Sequence, residues 1–124
     1  MVRIPVSLGE LIDRITILQL KSEHFTGPAH IHVVREYNGL LQVQKDQAPA
    51  VDPQLWEQLL HVNGELWQVE EQIRACDRCG DFSHTFVALA QQVYRLNDRR
   101  AALKRRISLD GGSEWLEEKN YQSC

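Results

Sequence analysis

The chain has 124 residues, 43% of them hydrophobic and 25% charged, with a formal net charge of −3. This is the composition of an ordinary globular protein, and the slight negative balance excludes any global attraction to nucleic acid or to an anionic membrane. No apolar run approaches the roughly 20 residues needed to span a bilayer, the opening MVRIPVSLGEL lacks the apolar core of a secretory leader, and three sparse cysteines are unlike a disulfide framework, so a cytoplasmic location is expected.

The first helix is predicted over 8–25. Ser7 with Glu10 three residues later has the form of a capping box, and Val6 is placed to staple against Leu11. Leu8, Leu11, Ile12, Ile15 and Leu18 make an apolar stripe, while Ile17 and Leu20 widen it to a neighbouring face, so this helix should be covered on two sides. Glu10 and Arg14 form a favourable pair on the polar face. Thr26, Gly27 and Pro28 then break the chain, and a second helix is predicted over 29–45 with Val33, Val34, Tyr37, Leu40 and Leu41 on one side. Gly39 in its middle weakens it by about 1 kcal/mol relative to alanine.

Asp52 followed by Pro53 marks the start of a third helix, over 53–79. Leu55, Leu59, Val62, Leu66, Val69, Ile73 and Cys76 step by four and three along it, which is the seam of an antiparallel coiled coil. Gly80 and Asp81 are read as a stop and an N-cap. A fourth helix over 82–109 carries the matching seam Phe86, Leu89, Val93, Leu96, Arg100, Leu103 and Ile107. If the chain reverses at Gly80, one register pairs every member of the two seams, from Phe86 on Cys76 to Ile107 on Leu55. The fold expected is therefore all-α: a single domain over 1–124, a bundle of about four helices built on a long antiparallel hairpin with the shorter helical pair packed across it. A short tail, 113–124, follows Gly111 and Gly112, with Trp115 and Leu116 as its expected anchors.

The register also defines one edge of the hairpin. Trp56, Asn63 and Glu70 face Lys104, Asn97 and Ala90 there, with Trp67 and Tyr94 nearby, and buried asparagines need partners. A polar site between helices is drawn from Asp13, Asn63, Asn97, Arg100 and Lys104, with Thr16 as a further contributor; these residues would either hold a small anionic ligand or fix helix register. Arg100 stands where the seam calls for an apolar residue, and Asp13 or Glu65 is its candidate partner. Arg99, Arg100, Lys104, Arg105 and Arg106 form a basic patch, readable as a weak nucleic-acid or anionic-surface binder or as cations that complement a helix C-terminus. Cys76 and Cys79 make half of a zinc site, with no second pair to complete it. No nucleophile motif or phosphate loop is visible, so no catalytic residue, metal or cofactor is assigned.

VSLGELIDRITILQLKSE, IRACDRCGDF, VYRLNDRRAALKRRI and EEKNY together resemble a family of small uncharacterised bacterial helical proteins. Cys79 and the ending with Gln122 and Ser123 depart from its pattern. Some of its members are joined to, or stand beside, glycosyltransferase or tetratricopeptide-repeat modules. The resemblance implies no catalytic residues; it implies a role associated with cell-surface sugar metabolism. LGELIDRITILQLK is also somewhat similar to the first helix of small helical chorismate mutases, but Arg14 and Lys21 are its only cations and the spacing of Arg99 and Arg100 does not restore that pattern. The function expected is a non-enzymatic interaction or assembly module, a homo-oligomer or the binder of a protein partner. A binding protein or enzyme for a small anionic metabolite is the alternative.

Overall fold

Four helices make up the protein in this computed structural model, which describes residues 1–119: α1 (Leu8–His24), α2 (Gly27–Gln47), α3 (Pro53–Arg78) and α4 (His84–Asp110). Among the described residues there is no strand, and the architecture is an all-α bundle. Asn120, Tyr121, Gln122, Ser123 and Cys124, part of the expected tail, lie outside the described residues.

Local chemistry explains where each helix begins and ends. Ser7 caps α1, its hydroxyl accepting the Glu10 N–H at 3.1 Å. The reciprocal half of the expected capping box is not made, because the Glu10 carboxylate turns instead to Lys104. Two further free N–H groups of α1 find hydroxyls from the far end of the chain: Leu8 donates to Ser113 Oγ at 3.0 Å and Gly9 to Ser108 Oγ at 2.9 Å. The first turn of α1 is thus satisfied by three serines, two of them more than 95 residues away. Val6 is 44% exposed. α2 starts with Pro28 in its first turn and runs unbroken through Gly39. Asp52 caps α3 by accepting the Gln54 N–H at 2.9 Å.

At the hairpin turn Gly80 takes φ 68°, the left-handed conformation that lets Asp81 N–H reach back to the Cys76 carbonyl at 2.8 Å and Gly80 N–H to Asp77 at 3.1 Å. Asp81 is therefore still part of the stop and not the N-cap of α4. Its carboxylate accepts the Ser83 N–H at 3.0 Å, and Ser83 is the residue that precedes the helix. Those hydrogen bonds from Ser83 also hold the exposed Asp81 carboxyl below its ordinary pKa. Phe82, set free by the turn, packs edge-on against Phe86.

α3 and α4 form the expected antiparallel hairpin. Val62, Leu66, Val69 and Leu96 make a buried cluster, with Ile73, Leu89, Val93 and Leu103 packed around it. A second cluster joins α1 to the base of the hairpin through Leu8, Ile12, Ile15, Leu59 and Ile107. α1 is the helix that all the others meet: α2, α3 and α4 each approach it closely, whereas α2 approaches neither α3 nor α4. The expectation of a helical pair packed across the hairpin is corrected accordingly. Only α1 crosses it; α2 lies on the outer side of α1, burying Val33 and resting Tyr37, Leu40 and Leu41 against the first cluster. The physical reason is the two-sided apolar surface of α1, which leaves no hairpin surface within reach of α2.

α1 is also short. Its 17 residues span about 25 Å, against about 39 Å for the 26 of α3. Its N-terminus lies against Lys104 and Ser108 of α4, and its C-terminal His24 stacks on Trp67 of α3 at 4.5 Å. The hairpin beyond Trp67 therefore projects past the helix that covers its base.

Candidate functional site

Asp13 occupies the α1 position that points straight at the hairpin edge, and only 2% of it is exposed. A carboxylate in that position requires compensation, and the two long helices supply it. Arg100 Nε donates to Asp13 Oδ1 at 2.8 Å and Arg100 Nη2 to Oδ2 at 2.6 Å, a bidentate pair. Asn63 Nδ2 donates to Asp13 Oδ1 and to Thr16 Oγ1, each at 3.0 Å, and the Thr16 hydroxyl donates to the Asp13 carbonyl at 2.7 Å. Lys104 stands next in line, 2.8 Å from Glu10 Oε2 and 4.0 Å from Asp13 Oδ2. Asn97 Oδ1 lies 3.5 Å from Arg100 Nη1, at the limit of a hydrogen bond. The five residues expected to form a polar site, Asp13, Asn63, Asn97, Arg100 and Lys104, are thus brought together, with Thr16 beside them.

The electrostatics follow from this arrangement. Hydrogen bonds to Asp13 raise the Arg100 guanidinium above its already high ordinary pKa, against the opposing effect of burial, and Glu10 adds to the same field. The choice of Asp13 over Glu65 has a simple cause: Glu65 stays on its own helix, 3.0 Å from His61. α1 reaches α4 closely enough for these bonds because Gly9 carries no side chain. A Cβ there would lie 2.1 Å from the Lys104 carbonyl oxygen.

Arg100 also lies between two open cavities. On one side is a groove of about 870 Å³ between α1, α3 and α4, with Asn63, Asn97 and Arg100 at one end, Ile17, Leu66 and Trp67 along its walls, and Glu70 and Arg74 beyond. On the other is a smaller cavity of about 250 Å³ lined by Asn97, Arg100, Ala101, Lys104 and Lys119. The groove was not read from the sequence. Its signal was present in the large aromatic Trp67 at the hairpin edge, but the stacking of His24 on that ring depends on where α1 ends in space.

Four of the five cations of the basic patch have partners within the chain. Arg100 is bound to Asp13, Lys104 to Glu10, and Arg106 to Asp110 at 3.0 Å. Arg105 donates to the Glu117 carbonyl at 2.9 Å and pairs with the Glu118 carboxylate. Arg99 alone of the five is exposed with no such partner among the described residues. The tail is held by the same contacts, together with the Ser7 hydroxyl on Glu117 Oε1 at 2.6 Å and Lys119 on Asp98 at 2.9 Å. Trp115, expected as an anchor, is 60% exposed; charge and hydroxyl pairing hold the tail where an apolar contact was anticipated. Cys76 is half-buried and Cys79 exposed, both as free thiols, and among the described residues no three His, Cys, Asp or Glu side chains are grouped to hold a metal ion. Among the described residues no helix is long and apolar enough to cross a membrane.

These features define a class: a small all-α protein, four helices among its described residues, in which α1, α3 and α4 are joined by an ionic network centred on the buried Asp13. Residues 2–124 match a family described as a family of unknown function (DUF6165), and the chain belongs to that family. No curated protein and no solved structure matches it.

Proposed function

We propose that this chain is a non-enzymatic assembly module, a single domain that self-associates through the free end of an antiparallel coiled-coil hairpin formed by α3 and α4. One observation carries the reading. The seam beyond Trp67 has no third helix to cover it, so Ile73, Cys76, Phe86, Leu89 and Val93 are only half-buried, while Phe82, Val87 and Tyr94 are 60%, 47% and 55% exposed. An isolated helical pair leaves part of each seam side chain in water, and a second pair laid against it removes that surface. The charges at this end are of both signs, Glu70, Glu71, Asp77 and Asp81 against Arg74, Arg78 and Arg95, so each copy brings a small net charge and cross-pairing of opposite charges between two copies is available.

A bacterial setting and an association with glycosyltransferase or tetratricopeptide-repeat modules in cell-surface sugar metabolism complete the reading and rest on the family resemblance; a cytoplasmic location rests on the sparse cysteines and on the apolar patterning of the sequence. Binding of nucleic acid through the end of α4 is poorly supported, because Arg100, Lys104, Arg105 and Arg106 are engaged within the chain.

Light scattering on the whole chain across a hundredfold concentration range tests the proposal. Association that is lost in Val87→Lys with Tyr94→Lys, at unchanged helical content, is the expected result. A wild-type chain that stays monomeric throughout would remove it.

A further inference from the structure

We infer that the groove between α1, α3 and α4 is a binding site for a small amphipathic carboxylate, with Arg100 as the group that receives the carboxylate and Trp67 as the wall for its apolar body. The inference does not rest on self-association, because every residue it uses belongs to one copy.

A guanidinium has five N–H donors in a planar fork. In Arg100 one edge, Nε and Nη2, is filled by Asp13. The outer edge, formed by Nη1 and the second hydrogen of Nη2, meets only the 3.5 Å contact from Nη1 to Asn97 Oδ1. The Arg100 side chain is 30% exposed, and it lines both the groove and the smaller cavity beside it. Asp13, with 3% of its side chain exposed, and Asn63 behind it hold the guanidinium in place before any ligand arrives. A pre-positioned fork with a free edge matches a second planar carboxylate, and less entropy is lost on binding than with a mobile arginine.

Charge decides the class of ligand further. Asp13 and Glu10 balance Arg100 and Lys104, so the ionic cluster is neutral as a set and offers no general attraction to highly charged anions. The recognition available is directional hydrogen bonding at one end, from Arg100 and the Asn97 amide, and apolar contact along the rest, from Ile17, Leu66 and Trp67. The Trp67 ring is fixed for that role, stacked on His24 at 4.5 Å and bonded through its indole N–H to Glu71 at 2.9 Å. A cavity of about 870 Å³ is of the size that small ligands occupy.

The test uses 4-phenylbutyrate as a probe and its neutral amide, 4-phenylbutanamide, as the control, with the whole chain followed by NMR at the Arg100 Nε–H and Trp67 indole N–H signals. The carboxylate is expected to shift both saturably, with half-saturation on the order of ~1 mM for a ligand of this size, and the amide to bind at least tenfold more weakly. Arg100→Lys keeps the charge but loses the fork, and it should weaken the carboxylate at least tenfold. Should that variant fail to fold, Trp67→Leu and Asn97→Ala keep the question open to test, since each leaves the Asp13–Arg100 pair intact and should weaken binding at least threefold. Equal binding of acid and amide, or no saturable shift at about 10 mM probe, would overturn the inference. So would a carboxylate affinity unchanged in the folded variants.

Discussion

The two halves of the α3–α4 hairpin carry the same seam and end in different states. At the base, α1 lies across the hairpin; Leu59, Val62 and Ile107 are at most 1% exposed, and the ionic network of Asp13 is enclosed. At the free end Ile73, Leu89 and Val93 hold equivalent seam positions and remain only partly buried. The side chains at the seam are of one kind in both halves, so the difference lies in the third helix and not in the seam. A third helix closes a two-helix interface, and it also makes the burial of charge both necessary and tolerable at the point where Asp13 enters.

Five experiments bear on that contrast. The largest effect is expected from Asp13→Ala, which leaves the half-buried Arg100 and the buried Asn63 without their partner and should destabilise by about 3–5 kcal/mol in denaturant titration. The double variant Asp13→Ala with Arg100→Met should recover much of that loss, and failure to recover any would mean that the pair is not the cause. Next comes Gly9→Ala, where the new methyl group meets the Lys104 carbonyl. Forcing α1 away from α4 should cost about 1–3 kcal/mol. A neutral result would show that the close approach does not hold the base together.

Ile73→Ala and Ile12→Ala compare the halves directly. Ile12 is fully buried and should lose about 2–5 kcal/mol on truncation, whereas half-buried Ile73 should lose clearly less below the concentration at which copies associate. Equal losses in dilute solution would break the contrast. Native-state hydrogen exchange should rank the same way, with the amides of α1 and of α3 near Leu59–Leu66 slowest and those of 73–90 exchanging through smaller, local openings.

The smallest effect is a dependence on pH. Asp81 has its pKa lowered in the folded state, so its contribution is fully present above the ordinary value of 3.8 and is lost as the pH falls through the folded value. It should appear as a slight acid loosening of the turn around Gly80, followed by the Ser83 amide signal, with the base of the bundle unaffected by it. Arg100 has its pKa raised above its already high ordinary value, so its contribution is fully present below that value and fades only at more alkaline pH. Deprotonation of Arg100 should therefore not weaken the base at any ordinary working pH, and a loss of stability on going from neutral to mildly alkaline solution would count against this.

Much of the fold was legible because helix periodicity and capping are local. The four-three spacing of Leu59, Val62 and Leu66 against Leu96 and Leu103 is enough to define a hairpin and its register, and Asp52–Pro53 and Gly80 mark its ends. The candidate site was partly legible for the same reason: a register that pairs two helices also brings Asn63, Asn97, Arg100 and Lys104 to one edge. Asp13 entered the reading as one of two candidate partners of Arg100, and the seam spacing alone does not choose between it and Glu65.

What the sequence by itself determined is thus the set of helices, the pairing of the two long ones, and the edge on which the polar residues gather. Tertiary structure alone decided that α1 is the central helix and α2 its outer cover, that Arg100 takes Asp13 and not Glu65, that Ser108 and Ser113 finish the first turn of α1, and that Glu117 in place of Trp115 holds the tail. The reason is physical. Repeats of three and four residues report which face of a helix is apolar, but not how long its neighbour will be or where that neighbour's ends will lie. Ion pairs and caps between residues as distant as Leu8 and Ser113 depend on those positions in space.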